Sequence, residues 1–160
     1  MSLLRLYHGS NSEFDVVDIS KSRNRRDFGR GFYTTTIKEQ AEHWARTIFE
    51  RYGGAGKHLY VFDFEITEDL QYKEFSGLSG EWLEIIKENR VKGGVQHGYD
   101  VIRGPVANDN TMLVISLFLD GTLSEAAALY ELAFFKASDQ VSVHTQKALT
   151  HLKMIERVTL

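Results

Sequence analysis

Polar and apolar residues alternate in several short runs along the chain, which is the pattern of a half-buried β-strand. The clearest run is residues 58–66, where Tyr60, Phe62, Phe64 and Ile66 fall on one face. Five further segments are predicted as strands: residues 3–7, 32–35, 99–102, 140–144 and 154–159.

Some of these strands are separated by segments that are predicted to be helices. Apolar residues recur at helical spacing at Ile37, Ala41, Trp44, Ala45 and Ile48. Thr36 is predicted to cap this helix, with Glu39 completing a capping box, and the helix is expected to end before Gly53. Three other segments are predicted as helices: residues 80–89, 124–135 and 145–152. Residues 111–119 are apolar nearly throughout and fit a helix or a strand.

Strands and helices intermix without a regular βαβ rhythm, which favours the α+β class over a doubly wound sheet. With 160 residues and a 42% hydrophobic fraction, the chain is expected to form one domain over residues 1–160.

The composition of the chain argues against several kinds of functional site and partner. There is no cysteine, and the six histidines lack metal-ligand spacing, so no metal site is expected. A net charge of -3 gives no overall attraction to nucleic acid, and the longest apolar run, residues 112–119, is too short to span a bilayer. We therefore expect a cytoplasmic protein without a membrane partner. Although the net charge is negative, residues 21–26 form a basic stretch. This stretch fits either a solvated loop or a phosphate-binding segment.

Two short blocks carry candidate chemistry. In residues 7–10, His8 lies at a predicted strand end, and Gly9 has no side chain to cover its backbone polar groups. In residues 28–35, Gly29 and Gly31 permit a positive φ or a close backbone approach just before Tyr33. A core strand gains nothing from two such glycines, which favours a functional role for Tyr33.

These blocks, with a third at residues 139–145, resemble the ADP-ribosyltransferase superfamily. The resemblance is to the type whose signature is His, Tyr and then Glu or a substitute, as in diphtheria toxin and poly-ADP-ribose polymerases. It implies two small, mostly antiparallel sheets that form an NAD cleft with flanking helices. More narrowly, the chain resembles small bacterial domains, some of them next to small partner genes as in toxin–antitoxin pairs, which implies a small antitoxin partner. The residues that carry this narrower resemblance are 27–35, Glu81-Trp82, Asn89-Arg90, Tyr99-Asp100, 104–107, Gln140 and His144-Thr145.

The resemblance also implies roles for individual residues, with NAD as co-substrate. His8 would bind a ribose hydroxyl, Gly9 the nicotinamide carboxamide, and Tyr33 would stack on the nicotinamide ring. Further cofactor contacts would come from Ser10, Gly29, Gly31, Thr34, Phe28 as a pocket wall, and Arg5 and Arg30 as candidates for the phosphates.

The third signature position is Gln140 instead of glutamate. An amide can hold a ribose hydroxyl but cannot neutralise the cationic transition state. A unit charge about 4 Å away is worth roughly 4 kcal/mol at an effective dielectric near 20, or about a thousandfold in rate. We expect slow transfer of single ADP-ribose units to a protein or nucleic-acid acceptor. Asp109 is the first candidate to supply the missing charge, followed by Asp139 and Asp100.

Two other functions remain open. The lost charge at Gln140 fits a catalytically degenerate module that binds NAD or ADP-ribose. The basic stretch at residues 21–26 fits an NAD-dependent RNA 2′-phosphotransferase.

Overall fold

The computed structural model describes residues 2–107, 111–133 and 138–160. Within these ranges the strands are β1 (Ser2–Ser10), β2 (Phe32–Thr34), β3 (His58–Ile66), β4 (Tyr72–Glu74), β5 (Val101–Gly104), β6 (Gln140–Val143) and β7 (Leu152–Thr159). The helices are α1 (Lys38–Tyr52), α2 (Gly80–Lys92), α3 (Met112–Leu119), α4 (Glu125–Leu132) and α5 (Gln146–Leu149).

The strands form two sheets that are mostly antiparallel. One has the order β1-β3-β7 and the other the order β2-β6-β5-β4, in which β4 and β5 run parallel. A backbone bridge between Tyr7 and Thr35 joins edge strand β1 to edge strand β2. The expected α+β class with two mostly antiparallel sheets is confirmed.

The helices and sheets pack in layers, with a cluster of buried side chains between each pair of layers. Helix α1 packs on the first sheet, where Ala41 contacts the cluster that contains Leu59. Phe62 from the first sheet and Val143 from the second belong to a cluster that lies between the two sheets. Helices α2, α3 and α4 cover the other face of the second sheet around the fully buried Trp82.

Helix α1 does not begin as predicted. It starts at Lys38, and the residue at the N-cap position, Ile37, makes no side-chain capping hydrogen bond. The hydroxyl of Thr36 instead donates to Asp139 Oδ2 at 2.5 Å. The predicted capping box with Glu39 is therefore wrong, because a tertiary partner takes the hydroxyl that the cap would need.

The buried stripe of apolar residues on α1 is also narrower than predicted. Ala41 and Ala45 are buried, whereas Trp44 keeps 45% of its surface exposed and Ile37 keeps 41%. The helix lies so close to β1 that its contact face at Gly9 has room only for small residues.

Strand β1 is longer than predicted. It continues past residue 7 to Ser10, so His8 lies inside the strand, opposite Tyr60, instead of at its end. Pairing with β3 along the whole of Ser2–Ser10 stabilises this extension.

Other elements follow the predictions with shifted ends. Residues 111–119, left open between helix and strand, contain helix α3, and the Ser124 side chain caps α4 as expected. The end of the helix predicted over 124–135 falls partly on residues 134–137, which lie outside the described ranges. Strand β4, at three residues, is too short to show a period. None of the helices in the described ranges is long and apolar enough to cross a membrane.

Candidate functional site

The edges of the two sheets meet at Tyr7 and part directly beyond it. Tyr7 and Thr35 exchange both backbone hydrogen bonds, at 2.8 and 2.9 Å. Continued by two residues, this register would set Gly9 opposite Tyr33, yet the bridge remains isolated. Backbone polar groups alternate between the two edges of a strand, so those of the buried Gly9 and of Tyr33 are directed toward the other strand without pairing with it. We call the opening between Gly9 and Tyr33 the β1–β2 split.

Gly9 is the residue that the packing at this point requires. A Cβ at Gly9 would lie 2.1 Å from the carbonyl oxygen of Ala41 in α1. Only glycine permits so close an approach of helix to strand. Helix α1 and strand β3 thus hold the peptide of Gly9 from two sides, with its remaining edge toward the split.

His8 spans the split through its ring. Its Nδ1–H donates to the carbonyl of Tyr33 at 2.6 Å, and its ring lies against Phe32 with the centroids 4.3 Å apart. Burial lowers the pKa of His8 to about 4, so the ring is neutral near pH 7. A neutral ring protonated at Nδ1 carries a lone pair at Nε2. His8 can therefore accept a hydrogen bond from a hydroxyl, the role predicted for it.

The glycine turn, residues 28–31, is held by three aromatic donors. Nε2–H of His97 donates to the first carbonyl at 2.7 Å, the Tyr33 hydroxyl to the second at 2.6 Å, and Nδ1–H of His144 to the third at 2.7 Å. Burial lowers the pKa of both histidines, that of His144 to about 4. Each neutral ring therefore carries one proton, which is the one donated to the turn.

The two glycines of this turn serve the purposes that the sequence indicates. Gly29 has a φ of +90°, and a Cβ on Gly31 would come within 2.7 Å of His144 Nδ1. The backbone N–H of Phe28 donates to the Tyr33 hydroxyl at 3.0 Å. The Tyr33 side chain is thus fixed by its hydroxyl, beside the split that its backbone faces.

The guanidinium of Arg26 covers the ring of Tyr33, with its Cζ 4.0 Å from the ring centroid. Its charge also contributes, after burial, to the lowered pKa of His8. A planar cation of the chain itself therefore covers one face of the ring that was predicted to stack on nicotinamide. A cavity of about 360 Å³ lies elsewhere, lined by Phe75, Arg103 and other residues, and does not include the split.

Part of the basic stretch at residues 21–26 packs against the protein. Arg25 has a φ of 60° and donates to the Arg90 carbonyl at 2.9 Å, near the end of α2. Arg23 remains exposed and lies 6.0 Å from the Tyr52 ring. The stretch is therefore partly a packed segment and partly the solvated loop considered above.

Gln140, the first residue of β6, is buried next to a carboxylate. Its Nε2 lies 3.1 Å from Asp27 Oδ2 and 3.1 Å from the Pro105 carbonyl oxygen. Asp27 accepts two bonds from Arg90, at 2.8 and 2.5 Å, and one from the Ala107 amide at 3.0 Å. A carboxylate therefore lies next to the Gln140 amide, but it belongs to Asp27, which was not among the predicted candidates, and its charge is paired with Arg90.

Two predicted cofactor contacts have other positions. Arg5 lies on the face of β1 toward α1, opposite to His8, and pairs with Asp63 at 2.8 Å. Strand alternation separates it from His8, so the two do not act on one face. Phe28 is fully buried in the core against Phe75.

Two others are held within the fold. The Ser10 hydroxyl lies 3.0 Å from that of Ser12, and Thr34 donates to the Val141 carbonyl at 2.8 Å, which ties β2 to β6. Arg30 is exposed, and its role as a phosphate ligand stays a prediction.

The carboxylates predicted to assist Gln140 do not contact it in the described part of the chain. Asp109 lies outside the described residues. Asp139 pairs with Arg103 at 3.2 Å, and Asp100 accepts from the Thr145 hydroxyl at 2.7 Å. Both carboxylates therefore act in other tertiary contacts.

Sequence reasoning missed Asp27, Arg26 and Arg90. Asp27 directly precedes the glycine turn, but it is 113 positions from Gln140, and nothing local shows that the two meet. Arg90 lies in the Asn89-Arg90 pair that was part of the resemblance, which was the available signal.

In the described ranges, no group of three or more His, Cys, Asp or Glu side chains could hold a metal ion. Residues 4–154 match a protein family described as protein of unknown function (DUF3990). No curated protein and no solved structure matches the chain.

Proposed function

The chain belongs to the family described as protein of unknown function (DUF3990), and we propose that it binds NAD at the β1–β2 split and transfers single ADP-ribose units. In this proposal the fold is that of an ADP-ribosyltransferase, and the acceptor is a protein or a nucleic acid. The observation that carries it is the parting of β1 and β2, which turns the Gly9 peptide edge, the His8 ring and Tyr33 toward one opening.

The groups at the split are complementary to nicotinamide. Its carboxamide has one carbonyl acceptor and one amino donor, and Gly9 offers one N–H and one C=O on the same edge. The nicotinamide ring of NAD is a planar cation, as is the guanidinium that lies on Tyr33. Attraction of a cation to the face of a tyrosine ring contributes about 0.5–2 kcal/mol.

The chemistry follows from the cleavage of one glycosidic bond. The bond between ribose C1′ and the nicotinamide nitrogen breaks, nicotinamide leaves as a neutral molecule, and positive charge develops on the ribose. The acceptor forms a bond to C1′ and loses its proton. His8 and Gln140 hold ribose hydroxyls without adding negative charge, so we expect slow transfer that depends on a good nucleophile.

Labelled NAD tests this proposal directly. The chain is incubated with NAD labelled on the ADP-ribose and a bacterial lysate, and labelled product and free nicotinamide are measured. The matched control is His8→Asn, because an asparagine amide can replace Nδ1 as donor to Tyr33 but has no group at the position of Nε2. We expect both signals from the parent chain and neither from the variant. Their absence from the folded parent chain contradicts the proposal.

A toxin role and a small antitoxin partner are part of the same proposal. Bacteria that express the parent chain should then grow more slowly than bacteria that express His8→Asn. Equal growth at equal protein levels argues against self-toxicity.

A binding module without catalysis is the second candidate. It is favoured by the pairing of Asp27 with Arg90, which offsets the charge of the carboxylate nearest to Gln140 among the described residues. Calorimetry separates the two candidates: NAD binding without nicotinamide release supports the module, and absence of binding contradicts both.

A further inference from the structure

The amide of Gln140 has only one way to serve a ligand. Its nitrogen carries two hydrogens, and both have acceptors: Asp27 Oδ2 and the Pro105 carbonyl, each at 3.1 Å. The nitrogen therefore has no hydrogen left to donate. What remains is Oε1, which can only accept.

The orientation of this amide is fixed by its partners. A carboxylate and a carbonyl are both acceptors, so a flipped amide would set Oε1 against two oxygen atoms. Asp27 cannot turn to relieve such a contact, because Arg90 and the Ala107 amide hold its two oxygens. At 5% exposure it also lacks water as an alternative partner. Gln140 is thus held with its nitrogen toward Asp27 and its oxygen away from it.

We propose that Asp27 is the positioning residue of the NAD site. It does not touch NAD. It holds Gln140 so that Oε1 accepts a ribose hydroxyl, as one oxygen of a glutamate would. This role rests on the proposed function, but the pairing of residues 27 and 140 can be tested without NAD.

The same pairing explains why the third signature position is glutamine. A glutamate at position 140 would set two carboxylates at hydrogen-bond distance in a buried place. Two such groups cannot both ionise without a large penalty, so the pair would retain one proton. Among the described residues, the charged and titratable neighbours of Asp27 are Arg90, Arg26 and Tyr33, and Arg90 already binds its Oδ1. A carboxylate at 27 therefore requires an uncharged donor at 140.

Thermal unfolding tests the pairing in the free protein. Gln140→Glu should lower the Tm by roughly 5 °C or more at pH 8. At pH 5, close to the ordinary pKa of a carboxyl group, holding the shared proton costs less free energy, so most of this loss should disappear. Asp27→Asn combined with Gln140→Glu should recover part of the lost Tm at pH 8, because the asparagine amide can donate to the new carboxylate. Recovery stays partial because the Pro105 carbonyl loses its donor and the Ala107 amide loses its acceptor.

The matched control is Gln146→Glu, which adds the same charge at the exposed first residue of α5. Its Tm should stay within about 2 °C of the parent value at both pH values. If Gln140→Glu behaves like this control, residues 27 and 140 are not coupled and the inference is wrong.

Nicotinamide release then tests the functional consequence. Gln140→Glu alone should not exceed the parent chain at pH 8, because its pair retains a proton. The double variant should exceed Gln140→Glu in kcat by about tenfold or more, with the KM for NAD changed by less than about threefold.

The outcomes separate the two proposals. If the parent chain releases nicotinamide but the double variant gains nothing over Gln140→Glu, transfer stands and the positioning role of Asp27 is wrong. If no protein releases nicotinamide while the Tm pattern holds, the proposed transfer is wrong, and the control of residue 140 by Asp27 is supported.

Discussion

Removal of the Arg26 side chain should tighten NAD binding. Its guanidinium lies 4.0 Å from the Tyr33 ring centroid, on the face proposed for the nicotinamide ring. A cation–π contact at a partly buried site is worth about 1 kcal/mol, and NAD must displace it before it can stack. Arg26→Ala removes this cost, so Kd should fall about fivefold, since 1.4 kcal/mol corresponds to tenfold. Calorimetric titration of the folded variant with NAD measures the change.

Arg23→Ala is the matched control for this prediction. It removes the same charge from the same loop, but Arg23 lies 6.0 Å from the ring of Tyr52 instead of covering Tyr33. We expect its Kd for NAD to be unchanged or slightly higher. Weaker binding by Arg26→Ala, or equal Kd values for the two variants, would refute the reasoning. Arg26 would then be a phosphate ligand or lie outside the site.

Three other changes test the geometry. Tyr33→Phe keeps the ring but removes a hydroxyl that joins two hydrogen bonds, and should cost roughly 1–3 kcal/mol in urea unfolding; an unchanged midpoint contradicts this. Burial lowers the pKa of His8 and of His144 to about 4, below the 6.5 of the unfolded chain. The unfolded chain then binds more protons between these values, so stability should fall as pH drops from about 6.5 to about 4, by up to ~1.4 kcal/mol per pH unit for each histidine; a flat profile contradicts the assignment. Gly9→Ala would place its Cβ 2.1 Å from the Ala41 carbonyl and should lower Tm or prevent folding, so a parent-like Tm would show that α1 can move aside.

Local sequence patterns predicted the elements of the fold but not their ends. The alternation in residues 58–66 predicted β3 with its observed bounds. The strand is not half-buried as predicted, because both faces are buried at residues 58–62, where α1 covers the face of Leu59 and Val61. The start of α1 depends on a tertiary partner, because Asp139 takes the hydroxyl of Thr36. Strand β1 extends through His8 because β3 pairs with it, which a single segment cannot reveal.

Some residues of the candidate site could likewise be predicted from local sequence, and others could not. His8, Gly9 and Tyr33 lie in short blocks, where glycine spacing next to an aromatic residue is itself a signal. Asp27 and Gln140 are 113 positions apart, and their contact exists only in the folded chain. The ring contact of Arg26 with Tyr33 was missed because an arginine in a basic loop looks the same in sequence whether it is solvated or stacked.

The most direct test of the central claim is the position of NAD relative to Gly9. In ¹⁵N-labelled protein, the backbone amide signal of Gly9 is followed by NMR during titration with NAD, with that of the exposed Gly98 as the internal control. The proposal predicts a saturable shift of the Gly9 signal and none at Gly98. A Gly9 signal that stays in place at millimolar NAD would contradict NAD binding at the β1–β2 split.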